Sequence, residues 1–265
     1  KFHLRQERTV DYRRRNPDPL PGEEVLSRDK NRCYTQDFYQ NELYDTYVCV
    51  TPDGYLQKYR KIHAFENTFM SQGNEFPVFD LFGWKCGILI CFDNNLPENT
   101  RVYALKGCEL LFAPHQTGGF DMEVAGMGRI DIQFWKNKNS HKKELCNEFN
   151  GPKGREWLLK WLPSRAYDNG MFHVFSNGVG QDGDEVRTGN AMIIDPNGIV
   201  LNESKSIDSD MVIAKITKKA LNGTLGRMHM KTRNPKLYAT LVEEFADQLD
   251  SRSARNELTK NSKIE

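Results

Sequence analysis

The chain has 265 residues, 38% of them apolar, with 37 basic against 36 acidic side chains and a net charge of +1. That length suits one large α/β domain with a buried core, and the balanced charge selects neither nucleic acid nor an anionic membrane as a partner. No apolar run approaches the roughly 20 residues needed to span a bilayer.

Residues 1–43 are polar, carry Arg13-Arg14-Arg15 and show no hydrophobic period, so no strand can be placed there. Residues 44–50 read as a strand, Thr51-Pro52-Asp53-Gly54 as a turn, and 55–61 as the returning strand of a hairpin. Residues 76–81 form another short strand. The continuous apolar run 86–91 suits a strand covered on both faces. Asn94 or Asn95 is the expected cap of a helix that has Pro97 and Glu98 in its first turn and Gly107 at its end. A strand at 109–113 completes a strand–helix–strand unit, which indicates a layered α/β fold.

Residues 117–153 read as a long excursion with room for a short helix. Residues 155–168 read as one helix, closed by Asn169-Gly170. Strands follow at 171–176, 191–195 and 211–216, with Pro196-Asn197-Gly198 as a hairpin turn. Residues 246–265 have almost no large apolar side chains after Leu249 and read as an exposed tail. The chain thus divides into an atypical segment 1–43, a domain 44–245 and a polar tail 246–265.

The six cysteines, Cys33, Cys49, Cys86, Cys91, Cys108 and Cys146, are irregularly spaced. Cys49, Cys86 and Cys108 sit among apolar residues and read as small buried hydrophobes. No CxxC pair or Cys/His cluster has zinc-ligand spacing, so no zinc site is expected. Residues 1–18 do not read as a signal peptide, and the expected compartment is the reducing cytoplasm.

Three residues can carry chemistry. Cys91 closes a buried strand just before a helix. A sharp turn there would lift a nucleophile out of the sheet beside unpaired N–H groups, and a helix N-terminus lowers a thiol pKa. Taken alone, a cysteine in that position is more often a core residue. Lys61, in Tyr59-Arg60-Lys61-Ile62-His63, can stabilise an oxyanion, although such a basic run alone reads as a solvated strand end. Glu66 stands near aromatic residues and is a candidate buried acid or base, although alone such a residue is more often a surface loop carboxylate.

The order of these residues carries more than any one of them. Tyr-Arg-Lys-Ile-His is followed by Glu66, by Phe76-Pro77-Val78-Phe79, by Cys86-Gly87-Ile88-Leu89-Ile90-Cys91-Phe92-Asp93, and then by Pro97-Glu98 and Arg101. Ala113-Pro114, Ser164-Arg165-Ala166-Tyr167-Asp168-Asn169-Gly170, Ser176-Asn177, Gly189-Asn190-Ala191 and Arg233-Asn234-Pro235 continue the string. Over about residues 43–245 it resembles the carbon–nitrogen hydrolase (nitrilase/amidase) family.

The resemblance implies a four-layer α-β-β-α sandwich. It implies Cys91 as nucleophile, Lys61 as oxyanion partner, Glu66 as accessory glutamate and the Phe92 N–H as the second oxyanion donor. Glu98 and Arg101 would be scaffold residues. His115 and Gln116 fall where the family's substrate pocket lies, and His115 reads equally as a satisfied core or rim histidine. The family's general base, a glutamate ending an early strand in a Pro-Glu context, has no counterpart before Lys61. Glu7, Glu23, Glu24 and Glu42 do not follow hydrophobic strands, so the base is unassigned, its segment being either absent or replaced.

The implied reaction is hydrolysis of a non-peptide C–N bond in a small amide or carbamoyl compound through an acyl-thioester. The family's nitrile hydrolases commonly carry Trp-Glu after the cysteine, so Phe92-Asp93 points to the amidase and carbamoylase branches. A nitrile hydrolase, and an impaired member serving as a binding or assembly module, are the alternatives. A Cys–His thiol hydrolase using His63 or His115 lacks a group to orient the histidine. The resemblance further implies a homodimer or larger homo-oligomer.

Overall fold

The computed structural model describes residues 2–5, 25–27, 35–39, 42–52, 54–64, 69–117 and 128–261. Strands β1 (Phe2–Arg5), β2 (Val25–Ser27), β3 (Thr35–Tyr39), β4 (Glu42–Thr51), β5 (Gly54–Arg60) and β6 (Met70–Ser71) come first. β2 to β5 form an antiparallel sheet in sequence order, and β6 adds to β4 in parallel. Strands β7 (Phe79–Leu81), β8 (Trp84–Ile88), β9 (Leu110–His115) and β10 (Phe172–Asn177) begin a second sheet. β11 (Val179–Asp182) and β12 (Glu185–Thr188) make a separate hairpin. β13 (Met192–Ile194) and β14 (Val200–Glu203) complete the second sheet, ordered β14-β13-β10-β9-β8-β7, while β15 (Met211–Ala214) pairs with β1.

The helices are α1 (Pro97–Leu105), α2 (Ile132–Lys136), α3 (Lys142–Asn150), α4 (Arg155–Leu159), α5 (Leu162–Tyr167), α6 (Leu225–Lys231) and α7 (Ser251–Asn261). Among the described residues no helix is long and apolar enough to cross a membrane.

Side chains alternate across a strand, so Asp45, Tyr47 and Cys49 share one face of β4. Tyr47 and Cys49, with Tyr59 of β5, pack into the same core as Cys86, Ile88, Leu110 and Val174 of the second sheet. The two sheets therefore lie face to face. On the other side of β8, a Cβ at Gly87 would sit 2.5 Å from the Tyr103 ring of α1, so only glycine lets helix and strand approach this closely. β8 is covered on both faces, which explains its unbroken apolar run. α4 and α5 bury Leu158, Leu162 and Ala166 against Ala113, Phe175, Met192 and Ile194. Among the described residues, the two packed sheets with helices outside the second make three layers of the expected α-β-β-α sandwich. A third core joins Leu145 and Phe149 of α3 to Val179 and Val186 of the hairpin.

Several sequence expectations are corrected. Strands do occur before residue 44, and β3 pairs with β4 from Thr35↔Thr46 to Tyr39↔Glu42. The strand expected at 76–81 is only β7; Pro77 cannot donate to a ladder. The strand expected to reach Cys91 stops pairing at Ile88. The helix expected over 155–168 is two helices broken at Lys160-Trp161, because Pro163 lacks an N–H and instead occupies the first turn of α5. The excursion holds two helices, α2 and α3, with the Asp131 side chain capping α2. The hairpin β11–β12 adds two strands between those expected at 171–176 and 191–195, and Asp182-Gly183 at its turn is a hairpin signal. The tail carries α7.

Candidate active site

Cys91 opens a 3-10 turn, Cys91–Asn95, that links β8 to α1. Its φ of +47° is left-handed, a strained conformation for a residue with a Cβ. The backbone thus reverses sharply at the cysteine, and Cys91 and Phe92 are half-buried while Asp93 and Asn94 beneath them are buried. The expected caps, Asn94 and Asn95, do not cap α1, whose N-cap is Leu96. Asn94 is instead drawn under the turn, where its amide nitrogen donates to the Leu89 carbonyl at 2.8 Å. From α5, Arg165 donates through Nε to the Asn94 carbonyl at 3.0 Å and through a terminal nitrogen to the Asn95 carbonyl at 2.8 Å. The carbonyls of the turn are therefore held from below by a rigid guanidinium fork.

Asp93 ties this elbow to the other sheet. Its carboxylate accepts from the Tyr59 hydroxyl at 2.7 Å and from the His63 N–H at 2.9 Å, with the Ile62 N–H at 3.3 Å. Lys61 lies between those anchors and is only 1% exposed. The solvated strand end that its basic neighbours suggested is thus overturned: the Lys61 ammonium is inside the protein. Burial raises the Asp93 pKa, and the nearby Lys61 charge, followed by the Tyr59 and His63 hydrogen bonds, opposes the rise. Burial and the Asp93 charge likewise hold the Tyr59 phenol well above its ordinary value, so it stays a donor.

Behind the elbow stands His115, 1% exposed at the end of β9. The Asn94 amide nitrogen, oriented by the Leu89 carbonyl, faces His115 Nε2 at 3.0 Å and so donates to it. That leaves the proton on Nδ1, which meets Thr117 Oγ1 at 3.0 Å. Burial, then His173 and Lys61, holds the His115 pKa well below its ordinary value, so the ring is neutral. His115 is therefore buried and hydrogen-bonded to the elbow, as the core-histidine alternative describes. Gln116 turns aside to donate to Asp182 Oδ2 at 3.1 Å, beside Arg187.

Of the sequence candidates, Cys91 and Phe92 adjoin Asp93, whose carboxylate holds the backbone beside Lys61; His115 bonds the same turn through Asn94, and Gln116 bonds Asp182 of the hairpin. Glu66 lies outside the described residues, as do Glu7, Glu23 and Glu24. Glu42 is exposed and accepts from the Tyr44 hydroxyl at the start of β4. Glu98 is exposed in the first turn of α1, and Arg101 is half-buried. Asp45, Tyr59, Asp93, Asn94 and Arg165 join the site only through these tertiary contacts. For Asp45 a signal existed, a charge on the core-facing alternation of an apolar strand. Among the described residues no cluster of His, Cys, Asp and Glu could hold a metal.

A cysteine on a strained strand-to-helix elbow, tied through Asp93 to the strand end that buries Lys61, lies within an α/β sandwich. The chain belongs to the carbon–nitrogen hydrolase family, whose model matches residues 28–224. It is 29% identical over 177 residues to a nitrilase of Pyrococcus abyssi, covering 66% of this chain and 54% of that protein. It is 30% identical over 169 residues to an (R)-stereoselective amidase of Pseudomonas, covering 63% and 50%. The chain thus spans about half the length of the curated relatives it matches. A solved carbon-nitrogen hydrolase from Helicobacter pylori G27 superposes with a TM-score of 0.60 at 19% identity, covering 80% of this chain and 70% of that one, which establishes the fold.

Proposed function

We propose that this chain hydrolyses the C–N bond of small amide or carbamoyl compounds through Cys91. The observation that carries this reading is the left-handed elbow at Cys91, tied through Asp93 to the strand end that buries Lys61. The Cys91 thiolate attacks the amide carbon, and the carbonyl electrons move onto oxygen. Lys61 and the Phe92 N–H stabilise that charge. The C–N bond then breaks, ammonia or an amine leaves with a proton, and an acyl-thioester remains. Water attacks the thioester, giving the acid and regenerating the thiol. A base must take the proton from the thiol and later from water, and Glu66 is the first residue to test for it. No cofactor enters this scheme. The amidase and nitrilase names of the relatives support C–N chemistry, and Phe92-Asp93 favours amides over nitriles.

The test is ammonia release from a panel of short primary amides, ureido compounds and nitriles, with intact-mass detection of an acylated protein. Cys91→Ala should abolish both signals while leaving the fold intact. Lys61→Ala should slow acylation by at least about 10²-fold, the scale of losing one oxyanion partner. Turnover by Cys91→Ala equal to the parent would sink the proposal. Self-association belongs to the same reading. Leu237, Leu241, Val242 and Phe245 are exposed apolar residues of the C-terminal segment and support a homodimer or larger. Sedimentation showing only monomer at micromolar concentration would count against it.

A further inference from the structure

Asp45 lies opposite the end of β5, where the Lys61 N–H donates to its carbonyl at 2.8 Å. Its side chain lies on the face of β4 that carries Tyr47 and Cys49 into the inter-sheet core. Both Asp45 and Lys61 are 1% exposed, and Lys61 Nζ stands 3.7 Å from Asp45 Oδ2. That is an ion-pair separation, longer than a hydrogen bond. A lysine is almost never fully buried without a counter-charge, because desolvation of the ammonium is costly. Among the described residues, the titratable groups near this ammonium on packed elements are Asp45 on β4, Asp93 on the elbow and His115 on β9. Asp93 already accepts three hydrogen bonds in clamping Tyr59, Ile62 and His63. His115 is neutral. Asp45 is the acid whose carboxylate stands at ion-pair distance from the Lys61 ammonium, on the strand next to it.

We propose that Asp45 is the positioning residue of Lys61: its carboxylate keeps the buried ammonium charged and holds it on the core side of the β5 end, beside the elbow. It acts through Lys61 and touches no substrate. The assignment to catalysis rests on the proposed roles of Cys91 and Lys61, whereas the ion pair can be tested without them.

The experiment uses the full chain and the variants Asp45→Asn, Lys61→Met and the double variant. In thermal unfolding, Asp45→Asn should lower Tm by several degrees, since it leaves a buried ammonium without this counter-charge, and adding Lys61→Met should restore at least half of the loss. If Asp45→Asn alone does not fold, recovery of folding in the double variant supports the pair. Additive losses, or a double variant that also fails to fold, overturn it. In the amide assay, the alkaline limb of kcat against pH should move down by at least one pH unit in Asp45→Asn, because Lys61 then loses its proton earlier, with KM little changed. An unmoved limb overturns the positioning role whatever the Tm values. A parent chain inactive on every substrate sinks the hydrolase reading instead, and the Tm cycle still decides the pair.

Discussion

Tyr59 and Asp93 join the two sheets at the site, with the phenol donating to the carboxylate at 2.7 Å across 34 residues of sequence. Both are buried, so the bond cannot be replaced by water. Tyr59→Phe removes the donor and leaves a buried carboxylate with one partner fewer. The expected cost is about 1–3 kcal/mol in urea unfolding, with acylation at Cys91 slowed because the Lys61 segment loses an anchor. A variant with parental stability and rate would show that the backbone donors at Ile62 and His63 suffice.

Gly73 should be intolerant of substitution although it is remote in sequence from the cysteine. Its N–H donates to the Lys61 carbonyl at 2.7 Å, and a Cβ there would lie 2.2 Å from the Arg60 carbonyl oxygen. Gly73→Ala must push the end of β5 away from its place. The expected loss is about 1–3 kcal/mol, the scale of overpacking a close-packed site. Parental Tm and activity in this variant would contradict the close approach.

Arg165→Lys should uncouple α5 from the elbow. A lysine cannot reproduce two donors in a fixed fork, so one of the Asn94 and Asn95 carbonyls loses its partner. Hydrogen bonds to a charged donor contribute about 1.5–3 kcal/mol, and a loss near the lower figure is expected. kcat should fall more than KM rises, because the turn positions Cys91, the proposed nucleophile. An unchanged kcat with lowered Tm would confine Arg165 to a structural role.

Acid should destabilise the fold below the ordinary histidine range. His173 is fully buried on β10, and burial followed by the Arg165 charge depresses its pKa to about 3. His115 is depressed for the same first reason. A histidine whose folded pKa is lowered binds more protons when unfolded, so stability is complete above the unfolded value of about 6.5 and falls as pH drops toward the folded one. Between about pH 6 and pH 4 His173 contributes a slope of up to about 1.4 kcal/mol per pH unit, and His115 adds to it with the same sign. Urea unfolding across that range should show the slope, and His173→Gln should reduce it. An identical slope in the variant would remove His173 from the account.

Short-range chemistry made part of this protein legible. The apolar run into Cys91, the Pro97 start and Gly107 end of α1, and the hairpin turn of β4 and β5 depend on neighbours in sequence, and period and turn chemistry identify them. The family resemblance carried by the ordered motifs implies Cys91 and Lys61 as members of one site. Tertiary structure decided the rest. β1 pairs with β15 over two hundred residues away, a partner that no local pattern announces. Lys61 reads as a surface cation until the second sheet covers it. Asn94 reads as a helix cap until the Leu89 carbonyl and the His115 ring compete for its amide. Asp93 is a carboxylate among polar residues until Tyr59 and His63 arrive from the opposite sheet. In each case the residue's role is set by a group it meets only after the sheets pack, because burial removes the water that would otherwise be its partner.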